Sequence, residues 1–162
     1  MIQHRDVCTH YENLEDRLIL TSKSFPVNLR LLKTSLFYFE IIKKICSYIQ
    51  WSATTLKEGY PLPKGWSDPN AGIPLRIIYV PPYGIMINPE WISSNNDHES
   101  EEVKSNCGSL TLKRPRSVVR AKSINIAYYT LDGQRREVTN VTKDLGGYTF
   151  QHEFLHIEGE LI

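Results

Sequence analysis

The spacing of apolar residues predicts helices on either side of a β-rich middle. From about Leu29 to Thr55, apolar side chains recur at intervals of three and four, with lysine and glutamine residues between them. This period is typical of an amphipathic helix, which should end before Gly59. Residues 1–17 are polar and have no clear period, so we expect them to form an irregular arm.

The middle of the chain alternates between turn-forming and strand-forming stretches. Prolines and glycines are frequent in residues 59–74, which predicts a loop with a restricted backbone. Runs rich in β-branched residues follow at 75–80, 85–88 and 117–120, and these runs predict strands. Residues 93–106 are polar and acidic, so a loop in solvent is expected there.

The last forty residues carry the most regular pattern. Residues 123–131 and 134–141 flank Asp132-Gly133, and Asp-Gly between alternating runs favours a hairpin turn with positive φ at both positions. A helix is predicted from about Lys143 to Glu158, beginning only after Gly146-Gly147 because glycine is a poor helix former. The order of helix, antiparallel strands and helix indicates an α+β fold.

Composition narrows the class of protein. A chain of 162 residues is typical of one domain, predicted here over 1–162. Lys plus Arg total 19 and Asp plus Glu total 18, and this balance does not favour a nucleic acid or a membrane surface as partner. The N-terminus lacks the apolar segment of a signal peptide, and no apolar run approaches the roughly 18 residues of a membrane span. We therefore expect a cytoplasmic protein.

The motif with the clearest chemistry is His152-Glu153-Phe154-Leu155-His156. Histidines four positions apart project from one face of a helix and can bind one divalent metal, while Glu153 can act as general base. Two ordinary histidines on a helix surface are the simpler alternative. A catalytic site of this kind needs a third protein ligand.

The third ligand should lie upstream, because only six residues follow His156. Cys46 belongs to the apolar stripe of the first helix and is better explained as a core residue. Cys107 stands between Asn106 and Gly108, next to a glycine that lets other groups approach the backbone. The sequence favours Cys107 among the candidates, which are His4, Cys8, His10, Cys46, His98 and Cys107.

Two segments resemble motifs of the peptide deformylases. Asn106-Cys107-Gly108-Ser109 is similar to that family's EGCLS, and residues 151–156 are similar to its QHExDH. The resemblance implies antiparallel sheets around a C-terminal helix that carries the HExxH motif. It also implies one divalent metal, typically Fe²⁺ with Zn²⁺, Ni²⁺ or Co²⁺ able to replace it, held by Cys107, His152 and His156. The implied activity is hydrolysis of the N-formyl group from N-formylmethionyl peptides or nascent-chain N-termini, with release of formate and with Glu153 as base.

The chain departs from the family's motifs at several positions. The first motif, GxGLAAPQxGI, compares with the stretch from Gly59 to Ile73, which is longer by several residues and has Asn70 in place of the glutamine. The resemblance implies that the Asn70 amide and the Gly108 N–H meet the developing oxyanion. Leu155 replaces the acidic residue before the second histidine, so Arg120, which matches a family arginine, needs another partner.

The substrate pocket and the activity each leave alternatives open. Tyr60, Leu62, Tyr148 and Phe154 are candidates for lining a methionine pocket, although each also suits the core. The rewritten motifs also suit a homologue that acts on another formylated or acylated substrate, or a catalytically silent deformylase-like binding protein. A small HExxH protease is disfavoured because no downstream ligand is present.

Overall fold

The computed structural model describes residues 14–55, 65–92, 99–105, 107 and 116–160. The α-helices of these residues are α1 (Leu14–Thr21), α2 (Leu29–Thr34), α3 (Leu36–Thr54) and α4 (Gly147–Ile157), with 3-10 helices at Asp68–Ala71 and Lys143–Leu145. The strands are β1 (Trp66–Ser67), β2 (Ile77–Val80), β3 (Gly84–Ile92), β4 (Ser100–Ser105), β5 (Arg116–Ala121), β6 (Ser123–Tyr129) and β7 (Arg135–Thr142).

The strands form two antiparallel sheets. Five strands make the larger sheet in the order β1-β2-β3-β6-β7, and β4 and β5 form a separate pair. The larger sheet shifts register between Ile87 and Glu90, where Asn88 has a φ of 48°. An asparagine tolerates this left-handed backbone better than most residues do. Since β4 and β5 lie between β3 and β6 in sequence, the small sheet is an excursion from the large one.

The larger sheet separates two clusters of buried apolar side chains. Ile77 belongs to the cluster that includes Ile49 of α3, and the next residue, Ile78, belongs to the cluster that includes Phe150 of α4. All four side chains are fully buried. Successive side chains of a strand point to opposite faces, so each face buries its own helix. The prediction of an α+β fold, with antiparallel sheets against a C-terminal helix, is confirmed.

The helical predictions need two corrections. The irregular arm is wrong for residues 14–17, which begin α1, and residues 1–13 lie outside the described part of the chain. The single helix from Leu29 to Thr55 is two helices, because Ser35 takes an extended conformation between them. Its N–H still donates to Leu31 O while its side chain caps the next helix. Helical spacing continues across this break, so periodicity alone did not reveal it.

The predicted loop at 93–106 is wrong for Ser100–Ser105, which form β4 and pair with β5. Its side chains are mostly charged and exposed, so the strand lacks the alternation by which strands are recognised. Residues 93–98 and 106 lie outside the described residues. Within the predicted loop at 59–74, Trp66–Ser67 pair with β2 as a short strand.

The hairpin of β6 and β7 is confirmed, but its turn is wider than expected. Thr130 N donates to Gln134 O and Gly133 N donates to Thr130 O. Of the Asp132-Gly133 pair, only Gly133 has a positive φ, so that part of the prediction is wrong. The final helix is confirmed within the predicted range, but it begins at Gly147, so the expectation that it starts only after Gly146-Gly147 is wrong. Gly146 precedes the helix as its N-cap in a left-handed conformation. In the described part of the chain no helix is both long and apolar enough to cross a membrane. One domain over 1–162 stays a prediction.

Candidate active site

Helix α4 carries the HExxH residues and is fixed to the small sheet by Gln151. The side-chain amide of Gln151 donates to Ala121 O and its carbonyl accepts from Ala121 N, both at 2.9 Å. The amide thereby continues the hydrogen-bonding edge of β5 into the helix. Because Phe150 and Ile157 are buried against the large sheet, the rotation of α4 about its axis is determined. The two histidines consequently face the region where β4 ends.

Cys107, His152 and His156 bring three potential ligand atoms together. The Sγ atom of Cys107 lies 3.3 Å from Nε2 of His156, which lies 3.3 Å from Nε2 of His152. All three atoms are within 4.8 Å of one another. Tetrahedral bonds of the usual lengths would separate two nitrogens by about 3.3 Å, and a nitrogen and a sulfur by about 3.6 Å. The cluster therefore has the donor types of a three-ligand metal site, and its two 3.3 Å contacts are close to the separations expected for one.

Hydrogen bonds on the far side of each imidazole orient the rings. Nδ1 of His156 donates to the backbone carbonyl of Glu160 at 3.2 Å, which leaves the lone pair on Nε2. Nδ1 of His152 lies 3.3 Å from Oγ of Ser105 at the end of β4. The Glu160 carbonyl selects the His156 tautomer with a free Nε2, whereas the Ser105 hydroxyl, which can donate or accept, orients the His152 ring. Such partners are typical of histidines that bind metals.

Burial keeps both imidazoles neutral. Desolvation, together with the charges of His156 and Arg120, lowers the pKa of His152 to about 3. Desolvation also lowers the pKa of His156 to about 4, although the hydrogen bond to Glu160 opposes this shift. Only a neutral imidazole can offer a lone pair to a metal, so both side chains are in the ligating form at neutral pH.

Glu153 lies beside the cluster in a nearly dry environment. Its side chain is 5% exposed, and burial raises its pKa to about 8 while Ser67 and Arg120 act in the opposite direction. Gly65 packs against it so closely that a Cβ there would lie 2.8 Å from Oε1 of Glu153. A carboxylate with a pKa raised towards neutrality is suited to accept a proton and return it.

The segment from Ser67 to Asn70 also lies close to Glu153. Ser67, Asp68 and Asn70 are all buried, and Asn70 Nδ2 donates to Ser67 Oγ at 2.8 Å. Residues 65–73 read GWSDPNAGI and match GLAAPQxGI without an insertion, which corrects the longer stretch expected from Gly59. Ser67 and Asp68 therefore stand at the motif's two alanines. Sequence reasoning missed both, although the ungapped comparison reveals them.

Arg120, which was expected to need a new partner, is buried beside two acidic side chains. Burial lowers the pKa of its guanidinium, while the charges of Glu153 and Glu160 raise it. The Nη2 atom has no hydrogen-bond partner among the described residues. Leu155 is only partly buried and offers no charge. The field of Arg120 therefore acts on Glu153 and on both histidines rather than on a residue at position 155.

The remaining candidates divide into three groups. Tyr148 donates its hydroxyl hydrogen to Glu101 on β4, and Phe154 packs against Phe150 and Trp91 in the core cluster below α4. Cys46 is buried in the other cluster, where burial and Asp68 raise its thiol pKa to about 12. The others lie outside the described residues: His4, Cys8, His10, Tyr60, Leu62, His98 and Gly108.

Comparisons with known proteins agree with this architecture. The chain is similar to an actinonin-bound class I type b peptide deformylase from Acinetobacter baumannii, with 22% identity, coverage of 88% of each chain and a TM-score of 0.64. A peptide deformylase from Thermotoga maritima gives 23% identity, coverage of 89% and 88%, and a TM-score of 0.65. An inhibitor complex of the Plasmodium falciparum peptide deformylase gives 24% identity and a TM-score of 0.61. The match covers 89% of this chain and 80% of the other. At these identities, the likenesses show the fold.

Sequence comparison identifies the family to which the chain belongs. No curated protein matches the chain. The family described as polypeptide deformylase matches residues 64–162, which include the whole region from Gly65 to the end of α4. The match covers more than half of the chain, and the fold agrees with it. The chain is therefore a divergent member of the peptide deformylase family.

Proposed function

We propose that this protein is a metal-dependent hydrolase that removes the N-formyl group from N-formylmethionyl peptides and releases formate. The observation that carries the proposal is the convergence of Cys107, His152 and His156 directly beside the buried Glu153. Family membership supports a hydrolase of the deformylase type. A substrate made on ribosomes would place the protein in the cytoplasm.

Cys107, His152 and His156 would hold one divalent ion, for which Fe²⁺ is the expected native metal. A divalent metal at this position polarises a bound carbonyl and increases the acidity of water. The imidazoles contribute because they are already neutral and oriented by Glu160 and Ser105. Zn²⁺, Ni²⁺ and Co²⁺ suit the same mixed sulfur and nitrogen donors.

Glu153 would move the protons. Its carboxylate accepts a proton from the attacking water and later delivers it to the nitrogen of the leaving peptide. The raised pKa favours both halves of this cycle, because the group is neither too weak a base nor too weak an acid at neutral pH. Asn70 and the Gly108 N–H are proposed to donate to the developing oxyanion.

Selection of the formyl group would depend on size. A formyl carbon bears only hydrogen, so a confined site around Glu153 and Gly65 would accept it and reject an acetyl methyl group. Tyr60, Leu62, Tyr148 and Phe154 are proposed to contact the methionine side chain. In the structure Tyr148 contacts Glu101 of the small sheet, and Phe154 packs at the edge of the core cluster that includes Phe150.

One observation favours a second candidate function. One hydrogen of the Asn70 amide is bound to Ser67, so the oxyanion region differs from the motif with alanine and glutamine. A changed oxyanion region suits a different formylated or acylated substrate, or a binding protein without turnover. A panel of formyl and acetyl peptides with varied first residues, assayed for both hydrolysis and binding, separates these candidates.

The decisive experiment measures formate release by the Ni²⁺- or Co²⁺-loaded protein from a formyl-Met tripeptide, with Glu153→Ala compared directly. General acid–base catalysis contributes roughly 10²–10⁴-fold, so the variant should lose at least 100-fold in kcat. Its metal content, measured by elemental analysis, should remain one ion per chain.

A matched control replaces Glu90, an exposed carboxylate on β3 that pairs with Arg135. Glu90→Ala should release formate at the wild-type rate. Equal turnover by Glu153→Ala with the metal bound would refute the role of Glu153. Absence of formate release by the fully loaded wild-type protein would refute the proposed activity and favour the second candidate.

A further inference from the structure

Two buried polar side chains beside Glu153 are joined by a hydrogen bond. Asn70 Nδ2 donates to Ser67 Oγ at 2.8 Å, and Ser67 lies near enough to Glu153 to lower the pKa of its carboxyl group. Each residue is at most 5% exposed, so bulk water does not replace these partners. A serine hydroxyl has a single hydrogen. Because an amide nitrogen can only donate, the hydroxyl accepts from Asn70 and its own hydrogen remains available to Glu153.

Two of the four residues in this segment that differ from the family motif touch each other. Ser67 stands at an alanine of GLAAPQ, and Asn70 stands at its glutamine. The change at position 70 removes one methylene and shortens the side chain, whereas the change at position 67 adds one oxygen. The added oxygen receives the amide of the shortened side chain. The two departures are therefore complementary in space.

The surroundings leave these side chains little freedom. Gly65 lies against Glu153 from one side, where a Cβ would collide with Thr149 Cγ2 at 2.5 Å and with Glu153 Oε1 at 2.8 Å. Asn70 lies in the 3-10 helix Asp68–Ala71, which contacts α4. Its Oδ1 has no partner among the described residues, and its Nδ2 retains a second hydrogen. This second hydrogen has a defined direction only if another contact, here the one with Ser67, fixes the orientation of the amide group.

We propose that Ser67 is a positioning residue that holds the Asn70 amide beside Glu153 and replaces the reach of the missing methylene. The inference rests on the proposed function, because it assigns Asn70 and Glu153 to the reacting groups. Ser67 itself does not touch substrate. Loss of its hydroxyl should release the Asn70 amide, since a displacement of about 1 Å at a reacting group can cost roughly 100-fold in rate.

The test compares formate release by the wild type, Ser67→Ala, Asn70→Gln and the double variant, all loaded with Ni²⁺. Ser67→Ala should lower kcat at least 10-fold and change KM less than threefold. Adding Asn70→Gln to Ser67→Ala recreates the motif's alanine and glutamine and should restore kcat to within about threefold of wild type. Asn70→Gln alone should not raise kcat, because the longer side chain meets the Ser67 hydroxyl.

Ser24→Ala is the matched control, because it removes another buried serine hydroxyl, one without a hydrogen-bond partner among the described residues. This variant should keep the wild-type kcat. The inference is overturned if Ser67→Ala keeps kcat within twofold of wild type. It is also overturned if the double variant is no faster than Ser67→Ala.

A second measurement does not depend on turnover. Thermal unfolding of the metal-free wild type, Ser67→Ala, Asn70→Ala and the double variant forms a double-mutant cycle. The double variant should lose at least 2 °C less in Tm than the sum of the two single losses, because the same contact is broken in each. Additive losses overturn the inference. Wild-type protein without formate release refutes the proposed function alone, and the contact is then judged by this cycle.

Discussion

The carboxyl group of Asp68 is buried in an unfavourable environment beside this site. Its side chain is fully buried, and neither carboxylate oxygen has a hydrogen-bond partner among the described residues. Burial raises its pKa well above the usual value, and the group also raises the pKa of the nearby Cys46 thiol. An isolated buried carboxylate is strongly unfavourable, so the folded chain retains the proton.

Asp68→Asn should therefore stabilise the metal-free protein, and more so at high pH. The folded carboxyl stays protonated at pH values where the unfolded one, with a pKa near 3.8, has ionised. Wild-type stability consequently falls as pH rises above about 4, until the folded pKa is passed. The neutral amide removes this dependence. Urea unfolding at pH 5 and pH 8 measures the difference between variant and wild type.

Asp144→Asn, which changes an exposed aspartate before α4, is the control and should show no such growth with pH. A stability gain from Asp68→Asn that is equal at pH 5 and pH 8 would contradict the assignment of a protonated, buried Asp68. A loss of stability at pH 8 would contradict it as well.

Residue identities were predictable where spacing carries the information. The HExxH spacing and the position of Cys46 on an apolar stripe both pointed to Cys107, and the structure brings Cys107 to the two histidines. The contact between Ser67 and Asn70 was not predictable, because it depends on a 3-10 turn and on the burial of both side chains. Neither the 3-10 turn nor the burial of these side chains produces a periodic pattern in the sequence.

At the scale of elements, Ser35 divides one apolar stripe into two helices. Its N–H closes the last turn of α2 on Leu31 O, and its side chain accepts from Tyr38 N to begin α3. Serine is among the favoured N-cap residues because its oxygen satisfies a backbone N–H that the helix leaves free. A cap inside a continuous helical period is easily overlooked in a sequence.

Ser35→Ala should destabilise the protein by about 1 kcal/mol, the typical cost of losing an N-cap. Urea unfolding followed by circular dichroism measures the change. Ser47→Ala is the matched control, because Ser47 is exposed within α3 and its hydroxyl donates to Lys43 O in its own helix. That control should be neutral or slightly stabilising. Equal effects of the two substitutions would show that Ser35 does not cap α3.

Element prediction failed where strand formation does not require burial. The side chains of β4 include Glu101, Glu102 and Lys104, and its stability comes from pairing with β5 rather than from an apolar face. The β6–β7 hairpin was predictable because Ile124 and Ile126 alternate with more exposed residues. Sequence patterns therefore identify elements that pack on the core and miss elements that pair at its edge.

At the scale of the whole molecule, the segment after α1 holds the end of the histidine-bearing helix. Ser24 N donates to Ile157 O at 2.8 Å, and Lys23 and Arg76 both pair with Glu158. The same segment joins the sheet through Asn88, whose side-chain amide bonds both backbone groups of Val27. Helix α4 is thus held at Gln151 by the small sheet and at its C-terminus by the N-terminal part of the chain.

Metal binding should stabilise the folded protein, because Cys107 and the two histidines converge only in the native state. Free metal at 100 times its dissociation constant adds about 2.7 kcal/mol of stability, which raises Tm. Thermal unfolding with and without Ni²⁺ should show this rise in the wild type, and Cys107→Ser should abolish most of it. Chelation should return the wild-type Tm to the metal-free value.

Cys46→Ala is the control for that experiment, because Cys46 is an equally buried cysteine in the core cluster beside α3. It should lower Tm with and without metal by similar amounts and keep the Ni²⁺-dependent rise. A Ni²⁺-dependent rise that survives Cys107→Ser would exclude Cys107 as a ligand. Loss of the rise in Cys46→Ala would point to a site other than the cluster on α4.

The contact between Ser67 and Asn70 also has a consequence for how these two positions evolve. Two touching positions constrain each other through time, so alanine with glutamine and serine with asparagine are the compatible pairs. Each single-step intermediate is poorer, because serine with glutamine is crowded and alanine with asparagine leaves the amide unheld. Relatives that branch near this chain should therefore carry one pair or the other, and mixed pairs should be rare among lineages that have kept the activity.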